Sequence, residues 1–272
     1  MPNQSVQDDA SFQIIPGDAT SRVIVHVPHA STVIPEWVRQ RIVLSDRELS
    51  EELSLMTDAR TDEIALLAAS DSHIRPWIFV NQHSRLVVDP ERFKDPGKER
   101  MAAPEIGMGA VYTRTAHGQE LRATDGDHHK QLINTYFDPY SNALQELVAQ
   151  RLAAVPEVTI VDLHSFPQIA LPYELLVKPS AHRPELCIGT DDCHTPPWLR
   201  NAVADSFAEL GESRLNEPFG ETYVPMSYWH KEPSVHSVMV ELRRDTYLAT
   251  VGGISRVAKM LTTLLNSIEA HT

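Results

Sequence analysis

Cysteine is scarce in this chain: Cys187 and Cys193 are the two among 272 residues. Two thiols at that spacing suit neither a disulfide scaffold nor a structural zinc knuckle, so a reducing, cytoplasmic setting is expected. Long apolar runs are missing too. No window approaches the 18 or so consecutive apolar residues that a membrane-crossing helix needs. The N-terminal MPNQSVQDDASF is polar and acidic, without the basic-then-apolar layout of a signal peptide. Basic charge is in deficit, with 24 Lys and Arg against 37 Asp and Glu and a formal net charge of −13. That balance argues against a nucleic-acid partner, whose phosphates need clustered Lys and Arg. It leaves open a small anionic substrate held by a local arginine pocket. Repeats, low-complexity tracts and linkers are absent as well. With 42% hydrophobic and 22% charged residues, the expectation is one soluble globular domain over 1–272, long enough to bury a sizeable core.

Against these absences stands a regular alternation of strand-like and helix-like segments. RVIVHV (22–27) is a β-branched run stopped by Pro28. SDRE (45–48) has capping-box spacing and opens a helix. A second helix is expected from about Asp58 to Ala69. WIFV (77–80) and RLVV (85–88) read as strands, as do VTIVDLHSF (158–166), YELLVK (173–178), ELCIG (185–189) and HSVMVEL (236–242). Residues 92–127 lose this regularity and read as a long irregular insertion, the kind of loop that often carries function. Helical spacing returns around Leu144–Leu152, in PPWLRNAVADSFAEL, and in the final helix through Ile254, Val257, Leu261, Leu264 and Ile268. Strands apolar on both faces, alternating with helices, predict an α/β fold: a mixed, mostly parallel sheet with helices on both faces.

In such sheets, binding sites gather at the carboxyl ends of the strands. Three strand ends carry groups capable of chemistry. The first places His29 just past Val27, VTIVDLHS ends with His164, and SVMVELRR holds Glu241 inside an apolar run. DARTDEIA adds Asp58 and Asp62, four apart and so on one face of a helix that includes both. Two histidines and a carboxylate, with one position left open for water, are what a hydrolytic zinc site requires; singly, each histidine could equally be a core side chain and Asp58 a helix cap. Asp162 shares a strand face with His164 and could orient its ring. Glu241 is the natural general base, because an unpaired buried carboxylate is too costly to be incidental. It could also pair with Arg243 or Arg244.

VDLHSFPQIALPYE and VMVELRRDTY look like the two C-terminal active-site segments of zinc metallocarboxypeptidases. VPHAS (27–31) lacks the glutamate that carboxypeptidases carry three residues after their first histidine. The ordered set Pro28-His29-Ala30-Ser31, Asp58 through Asp62, NQHSRLVVDPERF, Asp162 through Ser165 and Glu241 through Arg244 instead resembles the N-formylglutamate amidohydrolase family, from about residue 22 to 248. The resemblance implies a phosphorylase/hydrolase-like fold and one zinc ion held by His29, Asp62 and His164, with Glu241 as base. It also implies Arg85, Arg92, Ser165 and Arg243 as substrate-binding residues. Arginine suits a carboxylate-bearing substrate through bidentate, always-charged contacts. The implied reaction is hydrolysis of N-formyl-L-glutamate, or a similar small anionic N-acyl amino acid, to formate and glutamate, as in histidine degradation. This chain departs from the pattern in three places. Ala30-Ser31 replaces the family's Ser-Gly, Asp89-Pro90-Glu91-Arg92 replaces D-L-N-R, and Pro139-Tyr140-Ser141 replaces P-Y-H. Those changes leave as alternatives another N-acyl-amino-acid amidase, a carboxypeptidase-like peptidase, or a non-catalytic metal-binding module on the same fold. The sequence specifies no oligomeric state.

Overall fold

The protein is described by a computed structural model covering residues 10–95, 105–177 and 182–271. Seven strands form one sheet: β1 (Phe12–Ile15), β2 (Val23–Val27), β3 (Trp77–Asn81), β4 (Val158–Phe166), β5 (Leu186–Gly189), β6 (Ser213–Leu215) and β7 (Val235–Arg243). Their spatial order is β1-β3-β2-β4-β7-β5-β6. The central run β3-β2-β4-β7 is parallel, while β1 lies antiparallel on β3 and β5 antiparallel on β7. The sheet is thus mixed and mostly parallel, as its doubly apolar strands require.

Nine α-helices are seen among the described residues: α1 (Glu36–Arg39), α2 (Asp46–Met56), α3 (Thr61–Asp71), α4 (Gly126–Leu132), α5 (Asp138–Leu152), α6 (Pro172–Val177), α7 (Pro197–Ser206), α8 (Asp245–Leu248) and α9 (Gly253–Ala270). A π-helical turn at Ile133–Phe137 joins α4 to α5. The alternation of strand side chains divides the core between two layers. Val23, Val25, Val161, Leu163, Val238 and Val240 pack under α3, α7 and α9. Ile24, Phe79, Val158, Ile160 and Val235 pack under α5 through Tyr140, Leu144, Leu147 and Val148. Burying a Leu- or Val-sized side chain in these layers contributes about 1.5–3 kcal/mol each before the entropy of ordering it.

α2 opens at Ser45 with the expected capping box, Ser45 accepting from the Glu48 amide and the Glu48 carboxylate accepting from that of Ser45. Three other expectations are revised. RLVV is no strand: residues 85–88 form a turn whose Leu86, Val87 and Val88 are buried in local clusters off the sheet. YELLVK begins in helix α6, because Pro172 starts a helix readily and a run this short fits either period. The helix expected from Asp58 starts at Thr61, behind Arg60 in the left-handed region at φ 66°. Within the expected insertion, residues 105–125 contain only an isolated bridge, Arg114 to Glu120. They wrap α2 through Met108, Tyr112, Ala116 and Leu121. Residues 96–104 lie outside the described residues.

Candidate active site

Three parallel strands deliver their ends to one place. β2 stops at Val27 before Pro28, and His29 follows two residues on. β4 and β7 are paired in a register that puts His164 directly opposite Glu241. Along β4 the residues on the α5 side are Val158, Ile160, Asp162 and His164, so the alternation that buries two apolar groups then presents two polar ones. Asp58 is tied to the same spot by its backbone amide, which donates to the His29 carbonyl at 3.0 Å. The chain turns sharply there: Thr61 bonds back to the Asp58 carbonyl through both its amide and its hydroxyl before α3 begins.

These residues converge on three atoms. His29 Nδ1 and His164 Nδ1 are 3.2 Å apart, and Asp58 Oδ2 lies 3.1 Å from the latter and 3.6 Å from the former. All three residues are buried. Tetrahedral coordination at about 2.0–2.1 Å implies ligand–ligand edges of about 3.3–3.4 Å, so the triangle fits a zinc-sized cation without rearrangement. The donor chemistry agrees, two imidazoles and a carboxylate being a set for divalent ions of the zinc type. His29, Asp58 and His164 form one of the groups of potential metal ligands among the described residues.

Carboxylates surround this triangle. His29 Nε2 lies 3.0 Å from Asp89 Oδ1. His164 Nε2 lies 3.2 Å from Glu91 Oε1 and 3.1 Å from Asp162 Oδ1. Asp162 is also bound by His26 Nδ1 at 2.8 Å and by the Tyr223 amide at 3.0 Å. Asp89 further accepts from Arg85 Nη2 at 2.7 Å and from the Tyr112 hydroxyl. Burial works against charge on His164, but Glu91, Asp162 and Asp58 outweigh it and hold its pKa well above the ordinary histidine value. His29 is raised as well: burial and Arg85 oppose its charge, and Asp89 and Asp58 overcome them. Burial alone would raise Asp58, yet the two histidines pull it below the usual carboxylate range. The raised histidines help Arg85, Arg92 and Arg244 offset Asp58, Asp89, Glu91 and Asp162, and theirs is the positive charge that a divalent cation would replace.

Glu241 is different in kind. Burial pushes its carboxyl up to about 8, with His164, Arg85 and Arg244 pulling the other way. Its Oε2 is buried and has no hydrogen-bond partner among the described residues. Such a carboxyl can take up and release a proton near neutral pH, as acid–base catalysis demands.

The site opens into a cavity of about 580 Å³ lined by His29, Asp58, Arg85, Glu91, Arg92, His164, Ser165, Glu241 and Arg244, among others. Two residues expected here are not brought to it. Asp62 sits in the first turn of α3 and does not line the cavity. The resemblance selected the second aspartate of the motif, whereas the left-handed Arg60 delays α3 to Thr61 and leaves Asp58 to join the histidines. Arg243 points away, held by Glu185 Oε1 and Asp245 Oδ1 at 2.8 Å each and by the Arg183 carbonyl at 2.6 Å. Arg244 takes the inward place. It donates to the Leu55 carbonyl at 2.7 Å and the Ser165 carbonyl at 3.2 Å, with Nη2 3.4 Å from Asp58 Oδ1. Sequence reasoning also assigned no role to His26, Asp89 or Glu91. A histidine inside the β-branched run RVIVHV was the available sign that a buried acid must meet it.

No curated protein matches this sequence. The structure resembles the crystal structure of N-formylglutamate amidohydrolase from Ralstonia eutropha JMP134, at 20% identity and a TM-score of 0.79 over 96% of this chain and 97% of that one. It also resembles gene product Atu2144 from Agrobacterium tumefaciens, at 19% identity and a TM-score of 0.69 over 95% and 94% of the two chains. At these identities the likeness establishes a shared fold. Residues 21–248 match the N-formylglutamate amidohydrolase family, and the chain belongs to that family.

Proposed function

We propose that this amidohydrolase is metal-dependent and hydrolyses the formyl amide of N-formyl-L-glutamate, or of a closely similar N-acyl amino acid, to formate and the free amino acid. The observation that carries this reading is the triangle of His29 Nδ1, Asp58 Oδ2 and His164 Nδ1, with edges of 3.1 to 3.6 Å beside the buried carboxyl of Glu241. His29, Asp58 and His164 would hold a zinc-type ion. When bound, that ion polarises the scissile carbonyl and lowers the pKa of the attacking water.

The chain's own residues supply the rest. Glu241 takes the proton from the attacking water and returns it to the amide nitrogen as the C–N bond breaks, so formate and a free amine leave. Arg85 and Arg92 line the cavity and bind the substrate's carboxylates. Arg244 and Ser165 stand closer to the reacting centre, where the guanidinium steadies developing negative charge on oxygen.

A bulkier acyl amino acid is favoured as a second reading by the residue at the end of Pro139-Tyr140-Ser141. Ser141 lines the cavity and leaves more room than the histidine of the family pattern. The deciding experiment is metal analysis of the purified protein together with release of formate or other acids from a panel of N-formyl and N-acyl amino acids. Stoichiometric divalent metal and preferred turnover of N-formyl-L-glutamate are expected. Full metal occupancy with no turnover of any panel member would sink the reading.

A further inference from the structure

The two imidazoles of the triangle share an arrangement that one short turn creates. Each presents Nδ1 to Asp58 and turns Nε2 towards a carboxylate, His29 to Asp89 and His164 to Glu91. These two acids stand two apart in Asp89-Pro90-Glu91, with proline fixing φ between them. The Glu91 amide also donates to Asp89 Oδ1 at 3.1 Å, which locks the two carboxylates into one unit.

Asp89 is fully buried and anchored by Arg85 and Tyr112. Glu91 is not anchored that way. Its Oε1 and Oε2 lie 3.2 and 3.1 Å from His164 Nε2. Among the described residues, the other ion-pair contacts of that carboxylate are likewise imidazole nitrogens, His26 Nδ1 at 3.5 Å and His29 Nε2 at 3.8 Å. A glutamate serving only surface charge balance would meet an arginine or lysine. Asp162 also lies near His164 Nε2, but both its oxygens are engaged, Oδ1 by His26 and Oδ2 by the Tyr223 amide.

We propose that Glu91 is a positioning residue for the cation site: it accepts the Nε2 proton of His164, fixes the ring tautomer and turns the Nδ1 lone pair onto the ion, as Asp89 does for His29. This rests on the metal-dependent reading above. A ligating histidine held by a carboxylate is a stronger donor, and loss of such a partner typically costs 10–100-fold in metal affinity.

The test is zinc affinity of the metal-free protein, read by competition with a chromogenic chelator, for wild type, Glu91→Gln, Glu91→Ala and Glu91→Asp. Glu91→Gln keeps shape and an acceptor oxygen but loses the charge, so its affinity should fall about tenfold. Glu91→Ala should fall towards a hundredfold, and Glu91→Asp should recover part of the loss. Cobalt-loaded Glu91→Gln should show a shifted visible spectrum. The thermal midpoint of each metal-free variant reports folding, and the near-isosteric Gln variant keeps the test valid if the Ala variant is unstable. Variants that bind zinc within twofold of wild type overturn the proposal, whatever happens to turnover. A rise in KM with unchanged affinity would instead place Glu91 against the substrate and overturn it too. A wild-type protein that binds no divalent ion would be a different failure, that of the metal reading itself.

Discussion

Glu241 sits in β7 between Val240 and Leu242, so the side chain that disrupts the local apolar pattern is the one proposed to move a proton. Its buried Oε2, without a hydrogen-bond partner among the described residues, and a pKa near 8 suit a group that would alternate between acid and base. Glu241→Gln preserves volume and removes that ability. It should lower kcat/KM by about 10²–10⁴-fold while metal content, measured by elemental analysis, stays at the wild-type level. A pure binding module would show no such separation. The neighbouring question of which aspartate holds the ion is settled by a paired measurement. Asp58→Asn should weaken zinc binding by more than the roughly 10–100-fold expected for an outer partner, and Asp62→Asn should leave it unchanged. The reverse result would restore the ligand set read from the sequence. The structure departs from that reading at this residue for a local reason: spacing of four places two aspartates on one helix face only when the helix spans both. The left-handed Arg60 that delays α3 leaves no mark in a single sequence. Arg243 and Arg244 differ in the same way, because the alternation of β7 ends at Arg243 and Arg244 already turns into a new segment.

Elements were legible where one period dominated. The parallel strands β2, β4 and β7 are runs rich in β-branched residues and carry chemistry-bearing residues near or just past their ends, so both the strands and their chemically active ends could be read directly. The final helix, with Val257, Leu261, Leu264 and Ile268 buried, was equally plain. YELLVK and RLVV are too short to separate a period of 2 from 3.6, and tertiary packing decided them. Packing also explains Gly189 at the end of β5. A Cβ there would stand 2.1 Å from the Glu221 carbonyl oxygen and 2.5 Å from Met239 Cε. The segment it would displace includes Tyr223, whose amide holds Asp162, and Phe219 through Thr222 on the cavity wall. Gly189→Ala should therefore destabilise the fold by about 1–3 kcal/mol in denaturant titrations and raise KM more than it lowers kcat. Wild-type stability in this variant would mean that the wall yields freely and that β5 does not brace it.

Across the whole molecule the net charge is −13, and four of its carboxylates, Asp58, Asp89, Glu91 and Asp162, meet at the strand ends, where the proposed cation would help offset them. Stripping the metal should lower the unfolding midpoint, since a ligand at a thousandfold excess over its Kd stabilises the folded state by about 4 kcal/mol. The size of the drop should depend on pH in a fixed direction. In the metal-free protein Glu241, His29 and His164 all have folded-state pKa values above their ordinary ones, Glu241 at about 8 against 4.5. A raised folded pKa means that the folded state binds more protons than the unfolded chain. The contribution is full below the unfolded value and is lost as pH rises through the folded one. The lowered carboxylates, Asp58 among them, add stability that is complete above their ordinary range and stays constant across this window. Between about pH 5 and 8.5 the metal-free protein should therefore become steadily less stable. Metal binding strengthens over the same span because it displaces those protons. Calorimetric scans of the metal-loaded and chelator-treated protein should show midpoints that separate as pH rises. A gap that narrows or stays constant would mean that protons and cation do not compete for this cluster, and the triangle of His29, Asp58 and His164 would lose its claim to be the metal site.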